Sequence, residues 1–190
     1  MSIKVLSGIS LVLMWTLSGG VHAQDALKNS LQSCMACHGV EGASYDPKIP
    51  IIWGQNASYL KKQMSDYRDG HRDSQIMTSM AEKFARSEMA GVAAFMAAKP
   101  WPRLPAPTEI VAAPPLMVAC QSCHGADSKG GETSDGYAPR LAGQFAPYLE
   151  EQMGAYASGA RNNHTGMTAL MKGLPASEFA SIVKYLASLR

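Results

Sequence analysis

Cys34-Met35-Ala36-Cys37-His38 and Cys120-Gln121-Ser122-Cys123-His124 decide the reading of this chain, and together they contain all four of its cysteines. C-x-x-C-H is the pattern in which two thiols add to the vinyl groups of a haem while the following histidine ligates the iron. Two thiols three positions apart on one helical turn reach two edges of a porphyrin, and the adjoining imidazole lies under the metal. Cys34, Cys37, Cys120 and Cys123 are therefore candidate thioether anchors, and His38 and His124 candidate axial ligands of two covalently bound haem c groups. Three other readings are open to such residues. A zinc ribbon brings its C-x-x-C pairs together within a short span, whereas these lie far apart. A thioredoxin-like pair needs a β-α-β setting that is not visible here. Vicinal disulfides staple little and leave both histidines without a purpose.

Working outward, the two halves repeat. Pro50-Ile51-Ile52-Trp53-Gly54-Gln55 matches Pro139-Arg140-Leu141-Ala142-Gly143-Gln144, and Tyr59-Leu60-Lys61-Lys62-Gln63-Met64 matches Tyr148-Leu149-Glu150-Glu151-Gln152-Met153 in the same register. Tyr67, Gly70 and Arg72 then pair with Tyr156, Gly159 and Arg161, which argues for tandem duplication of one unit. Lys99-Pro100-Trp101-Pro102-Arg103-Leu104-Pro105-Ala106-Pro107, followed by Pro114-Pro115, lacks the donors that helices need and reads as an extended connector. Trp101 is its candidate contact with the units. The expected organisation is a signal peptide over 1–23, one unit over 24–99, a Pro-rich linker over 100–115 and a second unit over 116–190.

The fold class expected is all-α. Helices are predicted from about Ala26 into Cys37, Ala57 to Asp69 and Ser87 to Ala98. Their twins run from Leu116 into Cys123, Pro147 to Ser158 and Ser177 to Leu189. Phe179, Ile182, Val183, Leu186 and Leu189 carry the helical spacing of the last.

The far side of each iron calls for a second ligand. Among twelve methionines, Met77 and Met167 occupy corresponding positions in polar loops between the middle and final helices, where the chain wraps round to the opposite haem face. Met64 and Met153 also correspond, but each falls four residues after a leucine on one helix face and reads as core. His71 and His164 stand at different loop positions and are the alternative ligands. A soft thioether favours reduced iron and fills the position that oxygen or peroxide would need. Pro50 and Pro139 are candidates to accept the other N–H of each ligating imidazole. Arg72 and Arg161, or Gln55 and Gln144, are candidate propionate partners, with solvated arginine as the alternative.

Lys4, an apolar run from Ile9 to Leu17 and small residues ending Val21-His22-Ala23 have the layout of a secretory signal, predicting an exported mature protein with no membrane span. The formal net charge of +2 over 190 residues and the scattered Lys and Arg exclude a nucleic-acid footprint.

These motifs resemble the two-haem cytochrome c4 family, each half being similar to a class I cytochrome c. The resemblance implies two His/Met haems across a pseudo-twofold interface, a periplasmic electron carrier rather than an enzyme, and donation to a terminal oxidase. A quinol-oxidising complex is a possible donor. The alternative is the electron-accepting subunit of a sulfide or thiosulfate dehydrogenase; a two-haem peroxidase would need an open iron. Two departures stand out: Ile52-Trp53 opposite Leu141-Ala142, and the longer polar stretch from Asp127 to Gly136.

Overall fold

The computed structural model describes residues 31–107, 111–134 and 136–189. The predicted signal segment lies outside the described residues, as does the expected start of the first helix. Helix α1 covers residues 31–38. It is followed by α2 (Ala57–Arg68), α3 (Gln75–Glu82), α4 (Arg86–Ala97), α5 (Met117–His124), a hairpin of β1 (Gly131–Thr133) and β2 (Gly136–Ala138), α6 (Ala146–Ser158), α7 (Thr165–Gly173) and α8 (Ala176–Ser188).

Each half has its own apolar core. In the first, α2 packs on α3 and α4, burying Leu60, Ala81, Phe84, Met89, Val92 and Met96, with Met64 and Tyr67 against them. In the second, α6 packs on α7 and α8, burying Leu149, Met153, Tyr156, Met171, Ile182, Val183 and Leu186. Local signals start these helices. Asn56 caps α2 by accepting from the Tyr59 amide at 2.9 Å. Pro147 opens α6 at a position where no amide donor is needed. The Glu88 carboxylate accepts from the Ala85 amide at 2.7 Å to open α4.

Two expectations are corrected. Met77 and Met167 stand on α3 and α7 rather than in loops. Their helices are short, and each is begun by a side chain that accepts from the methionine's own amide: Ser74 at 3.3 Å and His164 at 3.2 Å. The apolar spacing Met77, Met80, Ala81 and Met167, Leu170, Met171 then turns one face to the core. The polar stretch from Asp127 to Gly136, where no strand was expected, carries β1 and the start of β2, with Gly131 opposite Ala138 and Thr133 opposite Gly136. Its β2 strand touches α2 of the other half, and that tertiary contact supplies what three-residue strands lack on their own.

The connector carries no regular structure over 100–107 and 111–114. Trp101 lies under the Arg140 guanidinium, 4.2 Å from its ring centre, and its backbone sits against Gly54, so the connector touches both halves. The Trp53 departure is a volume exchange. A Cβ on Gly42, whose φ is +88°, would meet the Trp53 ring at 2.6 Å, while the second half places the larger Ser128 opposite the smaller Ala142. Among the described residues no helix is long and apolar enough to cross a membrane.

Candidate functional site

A cavity of about 800 Å³ runs between the halves and is lined by both. It brings Cys34, Cys37, His38 and Met77 together from one side with Cys120, Cys123, His124 and Met167 from the other. The four cysteines are unbridged. Among the described residues no three His, Cys, Asp or Glu side chains converge as a metal-ion site would require, which removes the support for a zinc reading.

Each motif histidine ends its helix and turns its ring inward. His38 Nδ1 donates to the Pro50 carbonyl at 2.7 Å, and His124 Nδ1 to the Pro139 carbonyl at 2.8 Å. That bond fixes the tautomer and leaves the Nε2 lone pair available to a metal. Burial pushes both imidazoles below the ordinary histidine range, against the opposing pull of the proline carbonyls. Neutral rings suited to binding a metal result. Burial also pushes the Cys34 and Cys120 thiols up.

Where the halves meet, the cavity wall becomes polar. Arg72 donates to Gln63 Oε1 at 2.8 Å, to the Tyr148 hydroxyl at 3.0 Å and to Gln152 Oε1 at 2.8 Å. Arg161 mirrors it, donating to Gln152 Oε1 at 2.7 Å, to Gln63 Oε1 at 2.8 Å and to the Tyr59 hydroxyl at 3.3 Å. Both guanidiniums stack on tyrosine rings, Arg72 on Tyr67 at 4.6 Å and Arg161 on Tyr156 at 4.5 Å. They are 6% and 5% exposed, so the solvated alternative is wrong. Among the described residues no carboxylate lies within ion-pair distance of either. Two buried cations facing an apolar cavity are the charge complement of haem propionates, and with the inward imidazoles and unbridged thiols the residues present fit the group.

The one buried acid nearby breaks the mirror. Asp66 accepts from Lys62 at 2.6 Å and from Asn163 Nδ2 at 2.6 Å, where the second half has Ala155. His71 is exposed. His164, the other alternative ligand, caps α7 and lines the cavity. Gln55 and Gln144 bind backbone of the opposite half rather than joining the arginine wall. Gln63 and Gln152 were the residues sequence reasoning missed, although their identical place in the repeated Tyr-Leu-x-x-Gln-Met segment was a visible signal.

A cytochrome c family model matches residues 113–190. Cytochrome c4 of Pseudomonas aeruginosa is 32% identical over 95% of this chain and 97% of that protein. A thiosulfate dehydrogenase electron acceptor of Stutzerimonas stutzeri is 28% identical over 89% of this chain and 84% of that protein. The solved structure of Acidithiobacillus ferrooxidans cytochrome c4 superposes with a TM-score of 0.70 at 27% identity, covering 83% of this chain and 99% of that one. By its paired motifs, its two helical cores and this likeness over nearly its whole length, the chain belongs to the cytochrome c4 family, electron-transfer proteins that carry two covalently bound haem c groups and are not enzymes.

Proposed function

We propose that His38 with Met77, and His124 with Met167, clasp the two irons, and that Cys34, Cys37, Cys120 and Cys123 are the thioether anchors. The units 24–99 and 116–190, joined by the linker 100–115, act as two domains of a periplasmic shuttle exported through residues 1–23. Bound haem supplies a reversible one-electron iron couple. The protein's own residues would set its character: Pro50 and Pro139 orient the imidazoles that would hold the irons, the sulfurs of Met77 and Met167 would favour reduced iron, and with both bound no position would remain for peroxide. Arg72 and Arg161 balance the propionates at the seam.

The observation that carries this reading is the convergence of both ligand sets on one cavity whose polar wall is a buried arginine pair. A terminal oxidase is the proposed acceptor and a quinol-oxidising complex the proposed donor. The Stutzerimonas stutzeri relative favours a second reading, in which electrons arrive from a thiosulfate dehydrogenase. A redox titration followed by visible and near-infrared absorption tests the ligands. Met77→Ala and Met167→Ala should each remove about half of the methionine-to-iron band and lower one potential; a band unchanged in both variants refutes the assignment. Reduction by purified thiosulfate dehydrogenase with thiosulfate, compared with oxidation by oxidase-containing membranes, separates the two partner readings.

A further inference from the structure

We propose that Gln55 and Gln144 are positioning residues that act across the seam, each holding the peptide group on which the opposite half's axial histidine is hung. The inference rests on the reading of His38 and His124 as iron ligands.

The geometry is a relay through one rigid peptide plane. Gln144 Oε1 accepts from the Ile51 amide at 3.0 Å, and its Nε2 donates to the Ile51 carbonyl at 3.0 Å. The Ile51 amide belongs to the same planar unit as the Pro50 carbonyl, and that carbonyl receives His38 Nδ1 at 2.7 Å. A side chain of the second half thus grips one edge of the peptide whose other edge fixes the histidine of the first. The mirror relation holds. Gln55 Oε1 accepts from the Arg140 amide at 2.8 Å, and its Nε2 donates to the Arg140 carbonyl at 3.0 Å. The Pro139 carbonyl in that peptide receives His124 Nδ1 at 2.8 Å.

Neither glutamine has freedom to turn. They are 4% and 3% exposed, and each Oε1 also accepts from the next amide of its own chain, Asn56 at 2.9 Å and Phe145 at 3.1 Å. Two amide donors on the oxygen and one carbonyl acceptor at the nitrogen admit a single orientation. Polarising a peptide at its N–H strengthens its C=O as an acceptor. A stronger acceptor on Nδ1 makes the imidazole a better donor to iron, which favours the oxidised state. Removing Gln144 therefore raises the potential of the haem on His38, in the half that does not contain Gln144. Removing Gln55 raises that of the haem on His124.

The test uses the holoprotein with Gln144→Leu and Gln55→Leu, which keep most of the side-chain volume. Potentials are read by redox titration with proton NMR, each haem assigned by its through-space contacts to residues of its own half. Amide exchange at Ile51 and Arg140 is followed in parallel. The expected result is crossed: Gln144→Leu moves the potential of the first half's haem upward, leaves the second largely in place, and speeds Ile51 exchange about tenfold, the loss of one buried hydrogen bond; Gln55→Leu gives the mirror. A shift confined to the variant's own half, equal shifts in both, or a freed Ile51 amide with neither haem moved overturns the inference. If a leucine variant fails to hold haem, Gln144→Glu keeps the acceptor on the Ile51 amide and strengthens it by its charge, so it must lower the potential of the opposite haem while Ile51 exchange stays slow; an opposite haem left in place overturns the inference. A wild-type spectrum in which the His38 and His124 rings carry no iron-shifted resonances overturns the ligand reading itself, before any variant is made.

Discussion

Replacing Arg72 with leucine deletes three hydrogen bonds, yet leaves only one acceptor short. Gln63 Oε1 and Gln152 Oε1 both keep Arg161 as a donor, at 2.8 and 2.7 Å, so the Tyr148 hydroxyl bears the loss. That hydroxyl is part-buried and keeps the Tyr59 hydroxyl as a partner, so losing its charged donor costs about 1–2 kcal/mol, and the contact with the Tyr67 ring adds about 1 kcal/mol. The relief of burying one guanidinium fewer beside another works the other way. The single variant should lose about 2 kcal/mol, and Arg161→Leu a similar amount. The double variant must lose more than the sum. It strips Gln152 Oε1 of both arginines and leaves Gln63 Oε1 with Asn163 alone, at 3.2 Å. Mutual repulsion between the two cations is also relieved once in the double variant but counted twice in the sum. Both effects have the same sign, giving an excess of about 2 kcal/mol. Urea unfolding of the holoprotein, followed by Soret absorbance and far-ultraviolet circular dichroism and interpreted where the two transitions coincide, measures it. Additivity within about 0.5 kcal/mol would show that the arginines do not share their acceptors, and refute the network.

Alkaline pH should loosen the same seam. The Tyr156 phenol is pushed up to about 12, chiefly by burial with Arg161 pulling against it, and Tyr67 is raised for the same reason against Arg72. A folded-state value above the ordinary one near 10 means full stability below pH 10 and a loss of about 1.4 kcal/mol per pH unit per group as pH rises from 10 toward 12. Denaturant midpoints of the reduced protein across that window check it, and a flat profile contradicts it. At the volume exchange, Gly42→Ala should cost at least about 2 kcal/mol from its left-handed backbone and the Trp53 clash. Adding Trp53→Ala should recover part of that loss, and thermal melts of the two variants decide; a double variant with the full summed cost would show that the ring is not the obstacle.

The features carried by short covalent or compositional signals were plain in the sequence. The paired C-x-x-C-H motifs, the repeat and the proline connector each fix their meaning within a few residues. Met77 and Met167 were singled out by register, and both line the cavity, but their helices were not foreseen, since α3 and α7 depend on a side-chain cap and on the core behind them rather than on length. The β1–β2 hairpin left no alternating pattern because its strands are three residues long and lean on α2. Arginine burial was the least legible element. Arg72 and Arg161 sit in polar loops of their own halves, and tyrosines and glutamines drawn from both halves together take them out of water. The same holds for Gln55 and Gln144, whose partners are backbone atoms that no local pattern announces.

The seam between the halves obeys a rule usually met in homodimers. Gln55 grips Arg140 as Gln144 grips Ile51, and Arg72 reaches Gln152 as Arg161 reaches Gln63. Such an isologous core is self-complementary: two identical copies of one half would satisfy these four contacts, while the Asp66–Asn163 bond and the β2–α2 contact are additions that only the unequal pair makes. Beyond the contacts of Trp101 with Arg140 and Gly54, the proline segment replaces an encounter between molecules with an effective concentration in the millimolar range. An excised half that folds and takes up its haem should therefore seek a mate, and a cut within the connector should leave the pieces associated.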